Sequence, residues 1–254
     1  MASPLPIITS GSGTPLLLIH GFPHDHTLWT PQLRDLAGDA WVIAPDLRGS
    51  GGAKDPAPVQ TMALHVQDLI GVLDHLGVEQ AVICGLSMGG YIALALLKAH
   101  PNRVKGLILC NTRAGADDDK AKEGREATAK KALTEGVAVI ADEMIGKMVA
   151  PNASPTLRTT VRDLMARQSP SGVAASARGM ASREDQREFL PTITVPTLII
   201  TGSADTLIPP SESEAMHRAI PNSKLVVIPE VAHLSNQEAP VDFNREVSAF
   251  LKAL

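Results

Sequence analysis

Gln80-Ala-Val-Ile-Cys-Gly-Leu-Ser-Met-Gly-Gly-Tyr-Ile-Ala-Leu-Ala-Leu-Leu-Lys98 is the stretch from which the fold is read. Its first five residues make a short apolar run of the kind that fills a buried strand, and Tyr91–Lys98 reads as the body of a helix. Between them Gly85, Ser87 and Gly89 spell G-x-S-x-G. A strand feeding a helix through this pattern must turn sharply, and the serine then projects from the strand end with its hydroxyl exposed above the sheet. Gly85 and Gly89 flank the turn because a Cβ at either would collide where the chain doubles back. Ser87 is expected to carry backbone strain of about 1–3 kcal/mol. It is the candidate nucleophile.

The flanking sequence repeats the same rhythm. Pro15–Ile19 is a continuous apolar run, the mark of a strand buried on both sides, and Trp41–Ala44, Val104–Cys110, Val195–Thr201 and Leu225–Ile228 read as further strands. Leu5–Thr9 is at most one short strand. Val66, Leu69, Ile70, Leu73 and Leu76 recur at helical spacing before Gly77, and Ser211–Ala219 and Pro240–Leu254 carry further helices. Strand alternating with helix predicts a mostly parallel sheet covered on both faces. After Arg113 the pattern stops. The next stretch is charged, alanine-rich and broken by Pro151, Pro155 and Pro170, with apolar stripes at Val137–Met148 and Leu157–Met165. It reads as a helical cap over residues 114–192, inserted between core segments 1–113 and 193–254. Asp117-Asp118-Asp119 reads as a solvated helix start rather than a metal site.

A serine hydroxyl needs a base, and the base needs an orienting carboxylate. In an open α/β sheet these groups gather beyond the carboxyl ends of the strands. Asp205 follows one strand end and His233 the next, giving the chain order Ser, Asp, His. The rival place for the acid, after Cys110, holds the uncharged Asn111. Asp46 also ends a strand and reads as shaping its loop with Arg48. Two backbone N–H groups are expected to face a developing oxyanion: Met88, just after the serine, and Phe22 in the His20-Gly-Phe-Pro23 turn. The glycine-rich loop Gly49–Gly52 lacks both the Lys-Ser/Thr of a phosphate cradle and a G-x-G-x-x-G helix opening, so nucleotide binding is set aside.

Composition bounds the rest. The chain has 254 residues, 44% hydrophobic, 20% charged and 3% aromatic, with a formal charge of −4. Such a balance offers no basic footprint for nucleic acid, and no apolar run approaches the roughly 18 residues of a membrane span. The N-terminal Met-Ala-Ser-Pro-Leu-Pro shows no secretion signal. Cys84 and Cys110 read as buried free thiols in a reducing cytoplasm, too few for a zinc cluster of the usual kind.

Together His20-Gly-Phe-Pro23, Asp46-Leu-Arg-Gly49, Gly85-Leu-Ser-Met-Gly-Gly90, Gly202-Ser-Ala-Asp205 and Ala232-His-Leu-Ser-Asn236 resemble the α/β-hydrolase superfamily, in the right order and across nearly the whole chain. Ala232–Pro240 and the short cap are similar to carboxylesterases and 3-oxoadipate enol-lactonase-like members. The resemblance implies Ser87 as nucleophile, Asp205 as acid, His233 as base, an oxyanion hole from Phe22 and Met88, and no cofactor or metal. One departure from the family pattern is visible: relatives open with an antiparallel strand pair, and here only Leu5–Thr9 is available, so the N-terminal sheet edge is expected to be shortened. Phe22, Trp29, Leu86, Met88 and Leu234 are the expected pocket walls, with Met144, Met148 or Met180 from the cap. A small apolar pocket favours esters of short acyl chains, cleaved through an acyl-serine. Arg113 would hold a substrate carboxylate, or else pair with the acidic cap. Lactone or carbon–carbon bond hydrolysis, cofactor-free perhydrolysis and slow-turnover ligand sensing all remain compatible with these residues. The expected partner is a small ester or lactone; the oligomeric state, monomer or dimer, stays open.

Overall fold

The computed structural model describes residues 5–53 and 56–254; residues 1–4, part of the stretch inspected above for a secretion signal, lie outside it. In chain order the elements are β1 (Ile7–Ser10), β2 (Pro15–Ile19), α1 (Thr30–Asp35), β3 (Trp41–Pro45), α2 (Met62–His75), β4 (Ala81–Leu86), α3 (Met88–Ala99) and β5 (Val104–Cys110). Four helices follow: α4 (Asp119–Glu135), α5 (Val137–Met148), α6 (Pro155–Ala166) and α7 (Pro170–Ala181). The chain then returns to the sheet with β6 (Thr197–Gly202), α8 (Pro210–Ala219), β7 (Ser223–Ile228), α9 (Ser235–Glu238) and α10 (Pro240–Lys252).

The seven strands lie in the order β1-β3-β2-β4-β5-β6-β7. Only β1 runs antiparallel, pairing Ile7 with Pro45 at the edge, and its four residues make the shortened margin expected from the sequence. The serine strand β4 lies at the centre, between β2 and β5. Strand parity divides the core into two layers. Leu17, Ile19, Ile43, Ile83, Leu107 and Ile199 pack under α2, α3 and α8. Leu16, Leu18, Val82, Cys84, Leu86 and Ile108 face the other way, toward Trp29, Phe243 and Val247.

Local chemistry sets the helix ends. Thr61 caps α2 by accepting the Leu64 N–H at 3.2 Å, and Gly77 beyond its end has φ +67°, the left-handed conformation that glycine adopts without a Cβ penalty. Asp118 caps α4 through the Ala121 N–H at 2.8 Å, and Ser154 caps α6 through the Leu157 N–H at 3.2 Å. Helices α4 to α7 fill the interval between β5 and β6, with no strand in it. No helix among the described residues is long and apolar enough to cross a membrane.

Candidate active site

Ser87 links β4 to α3 in a conformation with φ +56° and ψ −115°, which a side-chain-bearing residue holds only under constraint. Its N–H donates to the Cys110 carbonyl at 2.9 Å, and its carbonyl accepts from Thr112 Oγ1 at 2.7 Å and from the Gly90 N–H at 2.9 Å. Close approach explains the glycines: a Cβ on Gly85 would overlap the Gly89 carbonyl, and one on Gly89 would overlap the Ile19 carbonyl. The serine's backbone is therefore fixed from both sides.

A hydrogen-bonded chain runs from this turn across the strand ends. Thr112 and Cys110 hold Ser87, and the intervening Asn111 donates its Nδ2 to Asp205 Oδ2 at 2.9 Å and to the Ala232 carbonyl at 3.1 Å. Asn111 itself has φ +45°, and its Oδ1 accepts from Ser235 Oγ at 2.6 Å. His233 Nδ1 donates to the same Asp205 Oδ2 at 2.8 Å, while Oδ1 accepts the Leu207 and Ile208 N–H groups at 2.9 Å each. Burial pushes the Asp205 carboxyl upward, but the His233 hydrogen bond and charge, with the Ile208 N–H and Asn111, outweigh it and hold the group below its ordinary value. Asp205 is thus an anion with all its acceptor sites directed. With Nδ1 committed as donor, the neutral ring leaves Nε2 as a lone-pair acceptor, buried and without a partner among the described residues.

The His20–Pro23 turn presses on the nucleophile. A Cβ on Gly21 would lie 3.3 Å from Ser87 Cβ and 3.1 Å from the Leu86 carbonyl. His20 stiffens the turn by accepting the Leu47 N–H on its Nε2 at 3.0 Å, and the Phe22–Pro23 bond is cis. Met88 opens α3, where helix geometry leaves its N–H no intrahelical acceptor. Phe22 and Met88 line one small void beside Gly21, so the two expected oxyanion donors belong to neighbouring residues.

Beside Ser87 lies a pocket of about 120 Å³ lined by Phe22, Tyr91, Arg113, Arg125, Met144, Met180, Leu207 and Ile208. Four of the expected walls are therefore present: Phe22, Met144, Met180 and Arg113. Met88 lines the separate void beside Gly21, and Trp29, Leu86, Leu234 and Met148 are not among the walls either. Each of these last four is fully buried in the layer opposite α3, and Trp29 packs against Phe243 with ring centroids 6.1 Å apart. Leu86 is one residue from Ser87, but strand alternation turns it to the other face. Tyr91, Arg125, Leu207 and Ile208 were not anticipated. Tyr91 was legible as the helix position one turn after the serine; the others come from segments distant in sequence.

Asp117 also departs from expectation. Far from being solvated, its carboxylate is fully buried and takes Arg113 at 2.6 Å, Arg183 at 2.8 Å and Arg125 at 3.0 Å. Burial alone would raise its pKa; the Arg183 and Arg125 contacts hold it at about 2. Only Asp118 and Asp119 start the helix. Asp46 does shape its loop, through the Gly52 N–H at 2.8 Å and His26 Nδ1 at 2.7 Å, but Arg48 turns instead to Asp68. Asp25, His26 and Asp46 bring potential metal-ligand atoms within 4.8 Å of one another. Asp25 is already taken by the Arg167 guanidinium at 2.7 Å and by Gln168 at 2.9 Å, so its ligand positions are committed to protein partners. Glu238, unforeseen, joins the chain after α5 to the chain before α9 by accepting the Ala150 N–H at 2.7 Å and the Ala232 N–H at 2.8 Å.

Residues 14–240 match the family model of the alpha/beta hydrolase fold. Among solved structures, a thermophilic esterase from Thermogutta terrifontis shares 41% identity, covers 98% of this chain and 93% of its own, and superposes with a TM-score of 0.95. The enol-lactonase from Burkholderia xenovorans LB400 shares 28% identity over 98% of this chain and 96% of its own, with a TM-score of 0.91. In sequence, 3-oxoadipate enol-lactonase 1 of Acinetobacter baylyi is 32% identical over 231 residues, 91% of this chain and 85% of that protein.

Proposed function

This chain belongs to the alpha/beta hydrolase fold family, and on that premise we propose that it is a serine hydrolase of carboxylic esters with short acyl groups. The observation carrying the proposal is a strained serine at the β4–α3 turn, tied through Cys110, Asn111 and Thr112 to a buried His233–Asp205 pair whose Nε2 is left free as a base. In this reading His233 Nε2 takes the Ser87 proton as Oγ attacks the ester carbonyl. The Phe22 and Met88 N–H groups stabilise the oxyanion, each contributing about 10²–10³ in rate. His233 then protonates the leaving alkoxide, releases the alcohol, and activates water against the acyl-serine. Asp205 stabilises the imidazolium throughout. Base-to-nucleophile contacts in unliganded sites are commonly long and tighten when substrate binds.

Acyl length follows from the pocket. At about 120 Å³ it lies below the roughly 300–1,000 Å³ of sites for drug-sized ligands, which favours short acyl groups. Hydrolysis of p-nitrophenyl esters from acetate to decanoate, beside Ser87→Ala, tests this. An optimum at short chains, abolished in Ser87→Ala, is expected; an optimum at decanoate refutes the assignment.

A second reading is supported by Arg113 and Arg125 in the same pocket: hydrolysis of an ester or lactone that itself carries a carboxylate. The Thermogutta esterase was solved with malate, a dicarboxylate, and two relatives are enol-lactonases. If this reading holds, Arg113→Met raises KM for monomethyl succinate about tenfold more than for methyl butyrate, as expected for a lost charge-assisted hydrogen bond. Equal effects on both esters assign Arg113 to the Asp117 network alone.

A further inference from the structure

A larger cavity, of about 540 Å³, lies between α2, α3 and the segment that follows α7. It shares Tyr91 and Arg113 with the pocket beside Ser87, while Ser87, Phe22, Met144 and Leu207 do not line it. Its apolar walls are Met62 and Val66 of α2 with Leu94 and Ala95 of α3. The cleft opens to solvent along Ala63, Gln67 and Lys98, and its size falls within the roughly 300–1,000 Å³ range of small-molecule sites.

Charge decides which occupant. Arg113 and Arg183 line the cavity and share one acceptor, Asp117 Oδ1, at 2.6 and 2.8 Å. Within ion-pairing distance that single carboxylate serves three guanidinium groups, since Arg125 also binds it at 3.0 Å. The Arg183 side chain is 3% exposed and lies over the Tyr91 ring, its Cζ 4.2 Å from the centroid. The Nε–H groups of both Arg113 and Arg183 are buried without an acceptor among the described residues. Both lie too deep for a ligand atom to reach, and it is the Arg113 guanidinium, its side chain 28% exposed, that the cavity presents. Lys98 adds a further cation to the lining, paired at the rim with the exposed Glu184 at 3.1 Å. Around the cavity Arg113, Arg183, Arg125 and Lys98 outnumber Asp117 and Glu184, so an anionic ligand is favoured and a cation repelled.

We propose that this cavity is a second binding site, separate from the catalytic pocket, for an apolar carboxylic acid: the hydrocarbon chain lies against Met62, Val66, Leu94 and Ala95, and the carboxylate accepts from Arg113 and Arg183. No bond is made or broken there. The inference does not rest on the esterase reading, because binding is measured without turnover.

Isothermal titration calorimetry of sodium octanoate tests it, on the full chain and on Ala95→Trp, Arg183→Gln and Leu207→Trp, with 1-octanol as neutral control. Ala95→Trp fills the cavity and Leu207→Trp obstructs the pocket beside Ser87. The expected result is one-to-one saturable binding of octanoate, lost in Ala95→Trp and kept in Leu207→Trp. Arg183→Gln and the exchange of octanoate for octanol should each weaken it by at least about tenfold, the equivalent of one charge-assisted hydrogen bond. If Arg183→Gln does not fold, Ala95→Trp and octanol still carry the test. Absence of saturable binding to the unmodified chain overturns the proposal. So does binding that survives Ala95→Trp but is lost in Leu207→Trp, which would locate octanoate beside Ser87.

Discussion

Replacing Asp205 by asparagine tests the proposed orientation of His233 while hardly changing shape. All four acceptor directions of the carboxylate are used: Oδ1 by the Leu207 and Ile208 N–H groups, Oδ2 by His233 Nδ1 and Asn111 Nδ2. An amide offers one oxygen. Main-chain donors cannot be retuned, so that oxygen must stay with Leu207 and Ile208, which turns the new NH₂ toward His233 and Asn111. His233 can answer only by moving its proton to Nε2, so that Nδ1 becomes the acceptor. That tautomer cannot take the serine proton. Asn111 could relieve its own donor–donor clash by turning over its amide, but the flip would lose its bond to the Ala232 carbonyl and set oxygen against oxygen there. A wrong tautomer costs about 10³–10⁴ in rate, roughly 4–5.5 kcal/mol of barrier, and the trapped donor costs a further ~1–3 kcal/mol of stability. The assay is kcat/KM for p-nitrophenyl acetate between about pH 6 and 9, with thermal melting alongside. A variant that melts lower yet keeps activity within tenfold of the parent would refute the orienting role of Asp205.

Acid sensitivity should reflect buried neutral histidines. Burial, above all, holds His24 and His65 down to about 3, and both rings lack hydrogen-bond partners among the described residues. Unfolded histidine titrates near 6.5, so the unfolded chain binds more protons between pH 6.5 and 3. Stability is therefore full above about pH 6.5 and falls on acidification, by about 2 kcal/mol per histidine at pH 5. Urea midpoints at pH 7 and pH 5 should show this loss, and His65→Leu should shrink it; equal midpoints would contradict it. Glu238→Ala strands the buried N–H groups of Ala150 and Ala232, so ~2–4 kcal/mol of stability should disappear in urea unfolding. An unchanged midpoint would show the Glu238 link to be dispensable. Gly89→Ala drives a methyl into the Ile19 carbonyl, and soluble expression with a native melt would disprove the close approach at the elbow.

Much of the sheet was legible because its strands are continuous apolar runs. Pro15–Ile19 and Val104–Cys110 have the same bounds in sequence and structure. The helices between β5 and β6 were only half legible. Helices α5 and α6 carry apolar stripes, whereas α4 buries only Ala129 and Ala132 and so shows no stripe to read. Helix α7 packs through small residues: Gly172 lies against the Gly49 backbone and Gly179 against that of Gln60, leaving no hydrophobic periodicity. Strand ends pointed to Ser87, Asp205 and His233, but strand-end position says nothing about face. Trp29, Leu86 and Leu234 were therefore misplaced in the pocket. Asp117 looked solvated because its partners Arg125 and Arg183 lie 8 and 66 positions away.

The central claim is that Ser87 is the nucleophile. It is tested most directly by reacting the protein with a fluorophosphonate and mapping the modified peptide by mass spectrometry. The account predicts one label per chain, on Ser87, absent from Ser87→Ala, and slowed in Asp205→Asn in proportion to its lost esterase activity. A label on any other residue, or Ser87→Ala retaining turnover, would contradict it.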